Sequence, residues 1–138
     1  MNTLIILCTG NSCRSQMAEA YAKQFLPSSW EVSSAGIEKH GLNPYMLRVM
    51  VEDGIDMSHH SSKTINELPE QKWGTLITVC SHAETHCPYL PTEKHIHKAF
   101  PDPPSLAKNL EEEDALQIYR GVRDKIKRYF QNFAQEQA

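Results

Sequence analysis

No apolar run in this chain comes near the roughly 20 residues that a membrane-spanning helix needs. The first such run, Leu4 to Leu7, is too short for the core of a secretion signal and has no basic flank. Basic charge is not in excess either: 14 Lys and Arg stand against 17 Asp and Glu, for a formal charge of −3. That removes the electrostatic footprint of a nucleic-acid-binding protein. There is no internal repeat, no low-complexity tract and no linker to divide the chain. The nucleotide-binding loop, which sets a lysine before Ser or Thr, is missing too. What is there is a chain of 138 residues, 40% hydrophobic and 22% charged. It is long enough to bury one core without covalent staples. The expectation is a single domain over residues 1–138, cytoplasmic, with neither nucleic acid nor membrane as a partner.

Four cysteines punctuate this ordinary composition: Cys8, Cys13, Cys80 and Cys87. In a reducing compartment, thiols in a chain of this size are buried, metal-bound or catalytic more often than they are structural disulfides. The local patterns place them. Thr3 to Leu7 reads as a short buried strand. From Ser12 the sequence is rich in helix formers, with Met17, Tyr21 and Phe25 on one face, and Pro27 ends the run. Glu31 to Ala35 reads as a second strand. A helix from Asn43-Pro44 to about Asp53 is expected to turn Leu47, Met50 and Val51 inward. Residues 57–69 are polar and irregular, with room for a short helix. Thr75 to Val79 is a clear third strand, followed by a loop or short helix over residues 80–91. His95 to Phe100 reads as a fourth strand and Pro101 to Ser105 as loop. A long closing helix runs from Leu110, with Leu116, Tyr119, Val122, Ile126, Tyr129 and Phe133 forming its apolar stripe.

Strands alternating with helices indicate an α/β domain with a parallel sheet and right-handed crossovers. Ligands bind such sheets beyond the carboxyl ends of the strands. Cys8, Cys80 and Asp102 follow the first, third and fourth strands, so all three are expected at that one edge.

The stretch Cys8-Thr9-Gly10-Asn11-Ser12-Cys13-Arg14-Ser15 joins strand to helix. Gly10 and Asn11 tolerate unusual backbone angles, so successive N–H groups can turn inward as an anion nest. The helix start adds unpaired donors, and Arg14 adds a planar charged fork that suits a tetrahedral oxyanion. The expected oxyanion-binding set is therefore Thr9, Gly10, Asn11, Ser12, Cys13 and Arg14. The same positive field favours the thiolate of Cys8, and the Ser15 hydroxyl can donate to its sulfur. Cys8 becomes a nucleophile held against the bound ion.

The segments CTGNSCRSQMAE, SSAGIE, HGLNP, GIDMSHHSS, TVCSHAETHCP and GVRDKIK, in this order, span nearly the whole chain. In them the sequence resembles the thioredoxin-coupled arsenate reductases, which share the fold of the low-molecular-weight tyrosine phosphatases. The first segment fits both groups. The pair Cys80 and Cys87 fits the reductases. The resemblance implies a four-stranded parallel sheet in the order 2-1-3-4, with helices on both faces. It implies reduction of arsenate to arsenite, with phosphate and sulfate as analogues. Cys8 attacks arsenic, Arg14 and the loop hold the charge, and Asp102 assists the leaving oxygen. Cys80 then takes Cys8 into a disulfide, Cys87 takes Cys80, and thioredoxin reduces the product. The alternative is a tyrosine phosphatase using Cys8, Arg14 and Asp102, with Cys80 and Cys87 idle. The acidic residue that often precedes Asp102 in the reductases is Pro101 here, and the tyrosine of the phosphatases is Pro104. Some relatives hold potassium beside the loop. The matching positions are Asn11, Glu19, Ser34 and Lys63, so the Lys63 ammonium is expected to replace the ion.

No cofactor and no metal is expected. Cys80, His82, His86 and Cys87 are crowded into eight residues, whereas zinc ligands come as two separated pairs. Cys13 matches no required step and reads as a small packing residue.

Overall fold

The computed structural model describes residues 2–86 and 90–137, without the side chains of Glu84 and His86; Cys87 lies outside the described residues. Four strands form one parallel sheet in the order β2-β1-β3-β4. They are β1 (Asn2–Cys8), β2 (Trp30–Gly36), β3 (Trp73–Thr78) and β4 (Thr92–His97). Among the described residues, five helices accompany them: α1 (Arg14–Phe25), α2 (Pro44–Glu52), α3 (Ser81–His86), α4 (Pro103–Leu106) and α5 (Glu112–Glu136). A 3-10 turn at Ile65–Glu67 interrupts the irregular stretch before β3.

The central strand explains why the sheet forms where it does. Leu4 to Leu7 are fully buried, so β1 reads as an unbroken apolar run, as a parallel strand covered on both faces should. Its register pairs Cys8 with Gly36 and Leu7 with Thr78, and Thr78 pairs with His97. The carboxyl ends of all four strands therefore meet at one edge.

Helix α1 packs on β1, β2 and α5, and α2 packs on α5; α3 rests against β1 and β3. Ala115, Leu116, Tyr119, Val122, Ile126, Phe130 and Phe133 form the buried stripe of α5. Tyr129 is only partly buried and stands edge-on to Phe100 and Phe130. In α2 the Asn43 side chain accepts the Met46 N–H, and Pro44 occupies the first turn, where its missing N–H costs little.

Three elements depart from the sequence expectation. In α2 the buried residues are Met46, Val49 and Met50, while Val51 is 66% exposed. The stripe facing α5 starts at Met46, and 46, 49 and 50 keep the i, i+3, i+4 spacing that Val51 breaks. Strand β4 lies at Thr92–His97 and not at 95–100. It is an edge strand carrying charged and polar side chains, a standard defence against edge pairing that conceals it from an apolar search. Residues 98–100 still follow the sheet, through Lys98 N–H to Thr78 O and Phe100 N–H to Val79 O. Finally, the Pro-rich segment after β4 is not all loop: Pro103–Leu106 forms the single-turn helix α4. Its first-turn prolines forfeit only N–H groups that have no partner in a helix start.

Candidate active site

The loop between β1 and α1 is held from outside by its own carbonyls. Cys8 O, Thr9 O and Gly10 O accept from Ile37 N–H, Glu38 N–H and His40 N–H. Asn11 O accepts from the Gln16 amide, and Ser12 O from Asn43 N–H. Carbonyls tied to the outside are what such a loop needs if its N–H groups are to serve an anion on the inner side. Asn11 makes the turn possible with φ +47°, a left-handed conformation that asparagine tolerates. Gly36 makes the outer bracing possible: a Cβ there would collide with the carbonyls of Glu38 and Thr9 and with Asn11 N. Gly36 closes β2 in the sequence, but nothing in its immediate neighbours shows that it touches the loop.

Cys8 ends β1 at the base of this cradle and is 4% exposed. Its Sγ lies 2.9 Å from Ser15 Oγ. Asn11 Nδ2 donates to the same Ser15 oxygen at 2.8 Å and to Ser34 Oγ at 2.9 Å. Ser34 in turn donates its hydroxyl to Glu19. Since Ser15 Oγ already accepts from Asn11, its hydroxyl proton is free to point at the sulfur. Asn11 Oδ1 accepts from Gln16 Nε2 and Lys63 N–H, both at 2.9 Å, and the Gln16 oxygen meets His60 Nδ1 at 2.8 Å. Gln16 and His60 belong to the site's support, and composition gave no signal for either.

Glu19 anchors the far end of the chain of hydrogen bonds. Burial alone would raise its carboxyl above the ordinary range; the Lys23 and Ser34 hydrogen bonds and the Lys63 charge outweigh it and hold it below. Lys23 Nζ stands 2.6 Å from one Glu19 oxygen, and Lys63 Nζ 3.6 Å from the other. The sequence grouping of Asn11, Glu19, Ser34 and Lys63 is thus one connected cluster. His60 lies beside it, and burial pushes its imidazole below the usual value against the pull of Glu19.

Arg14 spans the mouth. One guanidinium nitrogen donates to Phe100 O at 2.9 Å, and the other lies 3.5 Å from Asp102 Oδ1. Ser105 Oγ donates to the second oxygen of Asp102 at 2.7 Å, so the carboxylate is held on both sides. Cys80, 3% exposed, sits just before α3; Thr9 Oγ1 lies 3.3 Å from its Sγ, and Ala83 N–H donates to the same sulfur at 3.4 Å. A cavity of about 300 Å³ opens over the loop, lined by Cys8, Thr9, Gly10, Ser12, Cys13 and Arg14 together with His40, Asp102 and Pro104. Cys13 is also buried; burial first, then the neighbouring Cys8, keeps its thiol far above the ordinary range and protonated. Among the described residues no group of His, Cys, Asp and Glu is arranged to hold a metal ion, and no helix is long and apolar enough to cross a membrane. Cys8, Cys80, Arg14, Asp102 and Ser15 thus meet at one sheet edge, while the fourth cysteine lies outside the described residues.

Known proteins are similar to this chain in sequence and fold. The model of the low molecular weight phosphotyrosine protein phosphatase family matches residues 3–138. An arsenate reductase of Halalkalibacterium halodurans is 45% identical over 138 residues, covering 98% of each chain. One of Staphylococcus aureus is 46% identical over 132 residues, covering 95% of each. Among solved structures, an arsenate reductase in a phosphate-binding state superposes with a TM-score of 0.78 at 28% identity, over 99% of this chain and 98% of the other. The chain belongs to the low molecular weight phosphotyrosine protein phosphatase family and, within it, to the group of the arsenate reductases.

Proposed function

We propose that this protein reduces arsenate to arsenite with electrons from its own thiols and is recycled by thioredoxin in the cytoplasm, as a detoxifying enzyme. The observation that carries this reading is the buried sulfur of Cys80. Cys80 touches Thr9 of the cradle, so a buried thiol from outside the loop stands beside the oxyanion site in addition to Cys8 and Cys13 within it. A phosphatase that hydrolyses its intermediate with water has no use for it. The relatives named as arsenate reductases, and the phosphate-binding state of one of them, support the same reading.

The steps follow from the groups on hand. Arsenate binds with its oxygens toward the loop N–H groups and the Arg14 fork. Cys8, as thiolate and with the Ser15 hydroxyl against its sulfur, attacks arsenic. An S–As bond forms and one As–O bond breaks; Asp102 in its protonated form gives its proton to the leaving oxygen, which departs as water, and Asp102 is left as the carboxylate that faces Arg14. The Cys80 thiolate then attacks the Cys8 sulfur. An S–S bond forms, the S–As bond breaks, and its electron pair stays on arsenic, which departs as arsenite. Cys87 attacks Cys80 in turn, freeing Cys8 as thiolate. The dithiol of thioredoxin reduces the Cys80–Cys87 disulfide. Two thiols are oxidised for each two-electron reduction of arsenic. Lys63 adds its positive charge to that of Lys23 beside Glu19, so no monovalent cation is required.

The second reading is a tyrosine phosphatase built on Cys8, Arg14 and Asp102, and the shared family fold favours it. Cys80→Ser and Cys87→Ser separate the two. Both changes are expected to end multiple-turnover arsenate reduction while leaving any phosphate-ester hydrolysis in place. Undiminished reduction in either variant would overturn the relay.

A further inference from the structure

The basic side chains of α5 fall into two groups. Arg120 is paired with Glu52 and Glu113, Arg123 with Glu52 and Asp124, and Lys127 with Asp53. Lys125 and Arg128 have no carboxylate partner among the described residues, and neither has Lys98, just after β4. These three cations line one surface cavity of about 390 Å³ together with Phe100, Pro101 and Tyr129, and its described lining contains no carboxylate. Cations gathered round one cavity repel one another, in a chain whose formal charge is −3. Lys98 is nonetheless held in place. Its Nζ lies 5.7 Å from the centre of the Phe100 ring and 5.9 Å from that of Tyr129, which fixes the ammonium without neutralising it. The same wall reaches the reaction centre through its backbone. Lys98 N–H donates to Thr78 O and Phe100 N–H to Val79 O, the two residues before Cys80. Phe100 O accepts from Arg14. The basic cavity therefore stands beside the sheet edge where the reacting groups meet.

We propose that the groove formed by Lys98, Lys125 and Arg128 docks an acidic face of the protein that returns electrons to this enzyme. This rests on the function proposed above, in which another protein reduces the oxidised relay, and it names the surface that receives that protein. Charge complementarity selects the occupant: a carboxylate-bearing surface supplies the counter-charges that α5 gives to Arg120, Arg123 and Lys127 but withholds here. The three cationic residues are all exposed on long side chains. That suits a broad acidic surface better than a small ion, which needs a close cage of fixed donors. Position agrees with charge. Cys80 is 3% exposed, so a protein reductant has to be held at this edge while the sulfurs exchange. Charges at the rim of such a contact act mainly on the rate of encounter, and salt weakens them.

The test measures arsenate reduction at saturating arsenate, with thioredoxin as the varied substrate, in wild type and in the triple variant Lys98→Glu/Lys125→Glu/Arg128→Glu. At low ionic strength kcat/KM for thioredoxin is expected to fall at least about tenfold in the variant. Single-turnover release of arsenite, which draws only on the enzyme's own thiols, should stay within about twofold of wild type. In wild type kcat/KM for thioredoxin should fall as sodium chloride is added, and in the variant it should not. Replacing the same three residues by Gln should give an intermediate value. A variant that uses thioredoxin as well as wild type does, or one that loses single-turnover release in the same proportion, would overturn the proposal. A loss with sodium sulfate that exceeds, in wild type but not in the variant, the loss with sodium chloride at equal ionic strength would assign the groove to a small anion and overturn it too. A wild-type protein that releases no arsenite in a single turnover would overturn the functional reading. One that releases it but is not recycled by thioredoxin would overturn the recycling, and the docking with it.

Discussion

The Ser15 hydroxyl has one proton, and its neighbours decide where it goes. Asn11 donates to the oxygen, so the proton is aimed at Cys8 Sγ. Ser15→Ala removes that charge-assisted hydrogen bond, worth about 1.5–3 kcal/mol. The expected result is a roughly 10- to 100-fold slower reaction of Cys8 with iodoacetamide near neutral pH, with the fold intact by circular dichroism. An alkylation rate within twofold of wild type would remove Ser15 from the mechanism. Arg14→Lys keeps the charge and loses the fork that reaches Phe100 O and Asp102 together. Arsenate reduction should fall by roughly 100-fold, in line with the loss of one organised oxyanion donor. Glu19 makes its own pH prediction. Its folded-state carboxyl is held below the ordinary value, so its contribution to stability is complete above the unfolded value of about 4.5 and is lost as the pH falls below it. Glu19→Gln should cost about 1–3 kcal/mol at pH 7. Its urea midpoint should also fall less steeply than wild type between pH 5 and pH 3; parallel midpoints would contradict the assignment.

At the scale of elements, the parts visible in the sequence are those where one residue type does one job. Leu4 to Leu7 form a strand because they are apolar and central; Arg14 to Phe25 form a helix because helix formers follow a turn. The long stripe of α5 appears because aromatic and aliphatic residues recur every three or four positions. The parts that were hidden depend on partners far along the chain. Strand β4 is an edge strand whose exposed residues, Glu93, Lys94, His95 and His97, carry no apolar signal. The phase of α2 is set by its contact with α5, which no local pattern contains. The oxyanion loop was legible as a nest, but its bracing by residues 37–40 was not, because the hydrogen bonds run between backbone groups that every residue possesses. Gly36 is the test of that bracing. Gly36→Ala sets a methyl against backbone atoms that cannot swing aside. The expected cost is about 1–3 kcal/mol, with weaker phosphate binding measured by calorimetry. Val51→Lys, on the exposed side of α2, should change stability by less than about 0.5 kcal/mol; a large loss there would contradict the observed phase.

For the molecule as a whole, one sheet edge collects chemistry from distant parts of the chain. Cys8 comes from β1, Cys80 from the end of β3 and Asp102 from the segment after β4, and the sequence carried that convergence because parallel topology forces it. The Glu19 cluster adds a built-in cation at Lys63. Turnover should therefore be the same within twofold in potassium and in choline chloride, while Lys63→Ala should acquire a potassium requirement. A steep rise of wild-type activity with potassium would show that the ammonium does not replace the ion. The most direct measurement is a single turnover of Cys87→Ser and Cys80→Ser, without any external reductant, counting arsenite released and thiols lost. Cys87→Ser should release one arsenite per chain, lose two thiols and stop with Cys8 and Cys80 joined, while Cys80→Ser releases none. Arsenite from Cys80→Ser in the amount that wild type releases would contradict the transfer of electrons from these two sulfurs.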